Sequence, residues 1–285
     1  MHKTETGQAV HSFYQTLHFN EGTDAKQDAE AIQSAAIAKA QLLPTFQNAL
    51  QQANARHGTV FEAGCGIGWL ALSVEALYPD INLHAFDFSE RALSRAHEIA
   101  QARSSAVTFQ QCNLLDRASL GAADQADAFF SIGVLHHTGN FKAAFQNCLS
   151  LLKPGGDAYV GLYHTYRRAP FLAHFKKLSD AGKTEQQLRQ EYARIDRRTT
   201  DPIRQESWFK DQVLHPHETQ HTVQEVLDIA GPSYCHISNS LTGEQLPGTD
   251  QLALIEKRQT IIGEKNLTNT VYDPGFFMVH LRKEA

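Results

Sequence analysis

The chain has 285 residues, 42% of them hydrophobic, a net charge of −5 and a pI near 6.3. That length and apolar content suit one large α/β domain, or a core with a smaller cap, and exclude global disorder. The nearly balanced charge excludes a general nucleic-acid footprint. Cys65, Cys112, Cys148 and Cys235 stand far apart with no C-x-x-C pair, which predicts free cytosolic thiols. No apolar leader follows Met1 and no run of 18 apolar residues occurs, so a cytoplasmic protein with no signal peptide and no membrane span is expected.

Residues 1–30 are polar, with aromatic islands at Phe13-Tyr14 and Phe19. Residues 31–56 predict one helix or two, through Ile32, Ala36, Ile37, Leu42, Leu43, Phe46 and Leu50, with a kink near Pro44. Strands and helices then alternate. Strands are expected at 58–63, 81–87, 107–111, 126–132 and 157–163, and helices after the first to Tyr78, over 89–103 and over 140–152. Ser89 suits the N-cap of the second of these helices, and Lys153-Pro154-Gly155-Gly156 suits the stop of the third. Such alternation predicts a parallel, doubly wound sheet. It breaks at 165–220, which is too long for a loop and predicts a helical insertion. A helix over 222–230, a strand over 234–238 and a last strand over 276–281 follow, with 239–275 expected as a long connection of mixed polarity.

The chemistry-bearing stretch is Val60-Phe61-Glu62-Ala63-Gly64-Cys65-Gly66-Ile67-Gly68-Trp69. A strand runs through an acid into three alternating glycines and then a helix. Glycine lets backbone N–H groups approach a ligand closely, and a helix N-terminus favours negative charge. The G-x-G-x-G spacing fits the dinucleotide fingerprint G-x-G-x-x-G poorly. Asp87, nineteen residues past Gly68 and at the end of the second strand, is placed to accept both hydroxyls of a ribose.

This pairing resembles the cofactor site of class I S-adenosylmethionine-dependent methyltransferases. Three further motifs resemble that family: Cys112-Asn113-Leu114 after the third strand, Ile132-Gly133-Val134-Leu135-His136-His137 after the fourth, and Leu151-Leu152-Lys153-Pro154-Gly155-Gly156 before the fifth. The fourth-strand motif is closest in kind to the ubiquinone and menaquinone methyltransferases. The resemblance implies an α/β fold with a doubly wound, Rossmann-like seven-stranded sheet, its last strand antiparallel, and an inserted helical cap. It implies S-adenosylmethionine as cofactor, held by Glu62, Gly64, Cys65, Gly66, Gly68, Asp87, Phe88, Asn113, Leu114 and Gly133, with Tyr14 closing over it. It also implies a division into an N-terminal helical lid (1–56), a cofactor-binding core (57–164), a substrate cap (165–220) and a C-terminal completion of the core (221–285).

The acceptor side is open to more than one reading. His136 and His137 are candidate bases, or pocket floor, since an imidazole titrates near neutrality. Tyr163 and Arg168 follow the fifth strand, where open α/β sheets bind ligands, and Arg168 suits an anionic group or a solvated cap. His217 lies in His215-Pro216-His217-Glu218-Thr219-Gln220-His221, where a substrate-facing loop is preferred over a metal because the H-E-x-x-H helical pairing is absent. No metal is therefore expected. The expected activity is methyl transfer to a small molecule on O, N, S or C. RNA or protein methylation, a nucleotide-dependent oxidoreductase and a non-catalytic cofactor binder are the alternatives.

Overall fold

A computed structural model describes residues 5–22, 24–40 and 45–285, with backbone alone over 35–40. The core is a seven-stranded sheet of β1 (Thr59–Ala63), β2 (Asn82–Asp87), β3 (Thr108–Gln111), β4 (Ala126–Ile132), β5 (Leu152–Tyr163), β6 (Tyr234–Asn239) and β7 (Phe276–Lys283). Its order is β3-β2-β1-β4-β5-β7-β6. β1 to β5 pair in parallel, and β7 runs antiparallel to both β5 and β6. The antiparallel last strand expected from the resemblance is present.

Successive side chains of a strand point to opposite faces, and both faces here are covered. Val60 and Phe130 join one layer with α2 (Ala25–Ala40), α3 (Gln47–Ala55), α4 (Trp69–Leu77) and α5 (Glu90–Arg103). Phe61 and Phe129 join the other with α6 (Phe141–Leu149) and α10 (Val223–Ala230). Strands buried on both sides read as apolar runs, which is why β1 and β4 were legible. The helix caps fall where the side-chain chemistry puts them. Ser89 accepts from the Ala92 N–H and Asn140 from the Ala143 N–H. The expected kink at Pro44, with Leu42 and Leu43, lies outside the described residues.

Residues 165–220 form α7 (Thr165–Asp180), α8 (Glu185–Ile195) and α9 (Pro202–Val213). Phe171, Phe175, Leu188, Tyr192, Ile195 and Phe209 give these helices a small core of their own. α1 (Glu5–Thr16) contributes no buried residue.

Two expectations are corrected. β5 begins at Leu152, so the Pro154-Gly155-Gly156 turn is an irregularity within the strand rather than a stop before it. The stretch 239–275 is no plain connection: it holds α11 (Thr249–Thr268), a 20-residue helix. Its inward residues are Leu252, Glu256, Gln259 and Gly263, whereas Leu254 and Ile261 face out at 50% and 64% exposure. An apolar stripe is the usual signal of a packed helix, and here the stripe is on the wrong side. Glu256 instead accepts the Val223 N–H at the start of α10. Gly263 lets α11 approach α7 closely: a Cβ there would meet the Arg167 carbonyl oxygen at 2.5 Å.

Candidate active site

A cavity of about 1060 Å³ opens at the carboxyl ends of β1, β2, β4 and β5, where open α/β sheets bind their ligands. The glycine turn forms its floor. Gly64, Gly66 and Gly68 all have positive φ, near +81°, +53° and +82°, a region only glycine enters freely. Their surroundings differ. A Cβ on Gly64 would strike Val134, and one on Gly68 would strike Phe109, but one on Gly66 would meet open space. Gly64 and Gly68 are therefore small for packing, and Gly66 leaves bare backbone to the cavity.

Asp87 organises that turn. Its Oδ2 accepts the Gly66 N–H at 2.7 Å and its Oδ1 accepts the Ser89 N–H at 2.8 Å. Each oxygen keeps a second lone pair, and the residue lines the cavity. Burial raises its pKa, and the N–H bonds pull it back. Asn113 spends its carbonyl on the Leu115 N–H at 3.0 Å, so its NH2 is the group it offers to the cavity. Phe88, Leu114, Cys65 and Gly133 line the same wall.

Glu62, only 4% exposed, is pushed up to about 8, chiefly by burial and further by nearby Asp87, while a bond from the Ala71 N–H pulls it down. Its Oε2 has no protein partner. The folded chain thus holds a proton that the unfolded chain releases near the usual carboxyl value. That stabilising contribution is complete at low pH and is lost as pH rises through about 8. Glu62→Gln should therefore gain stability over wild type at pH 9 and not at pH 4 in thermal melts. Equal differences at both pH values would show Glu62 ionised in the fold.

Tyr14, from α1, donates to Asp211 Oδ1 at 3.0 Å. Gln212 donates to Asp211 Oδ2 and also to the Tyr163 hydroxyl. Tyr14, Tyr163, Asp211 and Gln212 all line the cavity. Burial raises the pKa of both tyrosines and of Asp211. Trp208, Arg198, Tyr272, Phe276 and Met278 complete the side away from the glycine turn. Among the described residues, Asp211, Trp208 and Tyr272 are lining residues that sequence reasoning missed. No motif carries them; only the fold brings them in.

Of the remaining expected residues, His137 lines the cavity and Arg168, His136 and His217 do not. Arg168 is fully buried and does not line the cavity. It holds Glu218 through two bonds of 3.0 and 2.7 Å, and also donates to the Gln212 side chain and carbonyl. Its guanidinium stacks over Tyr163 at 4.2 Å. His217 turns its Nε2 to the Thr138 carbonyl, 3.1 Å away. His136 is fully buried with neither ring nitrogen partnered, and burial together with His137 lowers its pKa. His137 does line the cavity. Its Nδ1 lies 3.0 Å from the His217 carbonyl, so Nδ1 carries the proton and Nε2 is left as a lone pair. Burial lowers His137 to about 4, leaving it neutral at pH 7. The histidine-rich segment is a strap rather than a free loop. It bridges to β5 at His164 and ties Thr219 to the His136 carbonyl.

Residues 61–158 match a protein-family model described as a methyltransferase domain. An uncharacterized protein of a Synechococcus strain is 34% identical over 113 residues, covering 39% of this chain. The match spans about a quarter of that relative, 26% of its length. PKMT2 from Rickettsia typhi, solved in complex with AdoHcy, shares the fold at a TM-score of 0.57 and 16% identity, over 80% of this chain and 49% of that one. An O-methyltransferase family protein from Burkholderia thailandensis does so at 0.50 and 15%, over 90% and 60%. No helix among the described residues is long and apolar enough to cross a membrane. The bare Gly66 backbone, the spare lone pairs of Asp87, the Asn113 amide and the orphan oxygen of Glu62 fit an aminoacyl nucleoside. Residues 61–158 thus carry the match to a methyltransferase domain, and the sheet built on them has the fold of PKMT2 from Rickettsia typhi.

Proposed function

We propose that this chain methylates a small, largely apolar acceptor enclosed between the glycine turn and the helices of 165–213. The observation that carries this is the cavity of about 1060 Å³ at the carboxyl ends of the strands. It sits at the top of the range of roughly 300–1,000 Å³ usual for one ligand, which leaves room for an acceptor beside the cofactor. Its far side is lined by the aromatic rings of Trp208, Tyr272 and Phe276, which suits an apolar acceptor. The net charge of −5 supports a non-nucleic-acid acceptor. The fourth-strand resemblance to quinone methyltransferases supports an apolar one.

In this reading Asp87 accepts the ribose hydroxyls, the Asn113 NH2 donates to a ring nitrogen of the adenine, and Glu62 faces the amino-acid end. Cys65, Phe88, Leu114 and Gly133 pack the walls, and Tyr14 closes the cavity from α1. Bound S-adenosylmethionine supplies an electrophilic methyl on a sulfonium. The chain's own part is to align the acceptor with it and to exclude water. Residues 1–56 then act as lid and 165–220 as cap, completed by 221–285. Tyr163 and Trp208 shape the acceptor space, while Arg168, His136 and His217 hold its frame.

An acceptor screen with labelled cofactor tests this. Trp208→Ala should lower kcat/KM for any acceptor found at least tenfold, and leave the Kd for S-adenosylhomocysteine within threefold, under about 1 kcal/mol. Label transferred to protein or RNA and to no small molecule would overturn the acceptor class while leaving the domain assignment standing.

A further inference from the structure

We propose that His137, Asp211 and His215 form a site for one divalent transition-metal ion at the wall of the main cavity. One ring nitrogen from each histidine and one carboxylate oxygen lie within 4.8 Å of one another. They come from the short 3-10 turn Leu135–His137, from α9 and from the strap after it. His137 and Asp211 are each 4% exposed, and both line the cavity. Ligand atoms about 2.0–2.1 Å from a tetrahedral ion are roughly 3.4 Å apart, so the set draws together on binding.

Two of the three ligands, His137 and Asp211, have the surroundings a metal site needs. A ligating imidazole usually donates its other N–H to a carbonyl or carboxylate, and a ligating carboxylate is itself hydrogen-bonded. His137 already donates Nδ1–H to the His217 carbonyl, which aims a lone pair from Nε2. Asp211 already accepts from the Tyr14 hydroxyl on one oxygen and from Gln212 on the other. Nε2 of His215 is buried and has no partner, which is unfavourable unless something occupies the space beside it. The His215 ring stacks on His137 at 3.8 Å and is wedged against Phe13. Nδ1 of His215 accepts the His217 N–H at 3.1 Å. Ligation through Nε2 moves the ring proton to Nδ1, and that one bond is what the ion displaces.

Two imidazoles and one carboxylate suit zinc, cobalt, nickel or ferrous iron, and suit magnesium or calcium poorly. Such a site uses none of the residues assigned to the cofactor, although it shares the cavity with them and holds Tyr14 through Asp211. It does not depend on the acceptor reading, because its test is metal binding alone.

The full chain, stripped with chelator, should bind one equivalent of Zn²⁺ or Co²⁺ by calorimetry. Bound Co²⁺ should show visible absorption bands of a nitrogen-ligated ion, and Zn²⁺ should raise the melting temperature. His215→Gln and Asp211→Asn should each weaken binding at least 30-fold. His174→Gln, whose wild-type side chain pairs with Glu191 on the cap, should bind as wild type does. Each variant is melted first to show that it folds. Absence of stoichiometric binding, or equal binding in a folded His215→Gln and a folded Asp211→Asn, would overturn the site. Magnesium bound more tightly than zinc would overturn it as well.

Discussion

Arg168→Ala is expected to cost about 3–5 kcal/mol of folding stability, because it strips the partner from a buried carboxylate. Glu218 takes two bonds from this guanidinium, and its side chain is only 10% exposed. Gln212, held through both its side chain and its carbonyl, loses its support as well. Burial pulls the Arg168 guanidinium down, but Tyr163 and Glu218 beside it raise it above its ordinary value, so the charge is present at every working pH. Urea denaturation measures the loss. The double variant Arg168→Met, Glu218→Gln should recover much of it, since replacing both charges by groups of similar shape leaves nothing buried and unpaired. A loss under about 1 kcal/mol in the single variant, with a large fall in acceptor kcat/KM, would instead return Arg168 to the role of an acceptor contact.

Asp87→Ala is expected to weaken S-adenosylhomocysteine binding by a little over 100-fold. Two charge-assisted hydrogen bonds to a ribose, at about 1.5 kcal/mol each, give about 3 kcal/mol. The carboxylate also holds the Gly66 and Ser89 N–H groups, so the glycine turn loosens with it. Asp87→Asn keeps an acceptor for one of those N–H groups and should lose less. Calorimetry decides the matter. An unchanged Kd in a folded Asp87→Ala protein would remove the ribose assignment.

The core was legible because its signals are local. Glu62 through Gly68 is one contiguous turn, and strands such as Phe129-Phe130 are apolar on both faces, so neither needs long-range information. α11 was not legible because its inward face carries Glu256 and Gln259 and its outward face carries Leu254 and Ile261. It packs through a glycine contact and a buried carboxylate, which periodicity does not register. Arg168 and His217 illustrate a second limit. Position after β5 singled out Arg168 and a histidine cluster singled out His217, but charge and ring type do not say whether a side chain faces a ligand or its own neighbours. His137, Asp211 and His215 show the converse. The histidines of the strap were visible as a cluster and Asp211 stands four residues before His215, yet His137 lies in a distant 3-10 turn, so no spacing rule could gather all three.

Tyr14 hangs on Asp211 by one hydrogen bond, and α1, which carries it, buries no residue. Displacing such an element breaks the ring contacts of His11, Phe13 and Tyr14 but uncovers no fully buried side chain, so it costs less than opening the core. The strands and α4 on the opposite side are anchored in the main core. Traffic into and out of the chamber is therefore expected to pass beneath α1, and both ligands would use the same door. Under that arrangement a helix with no buried residue is the element that governs ligand exchange.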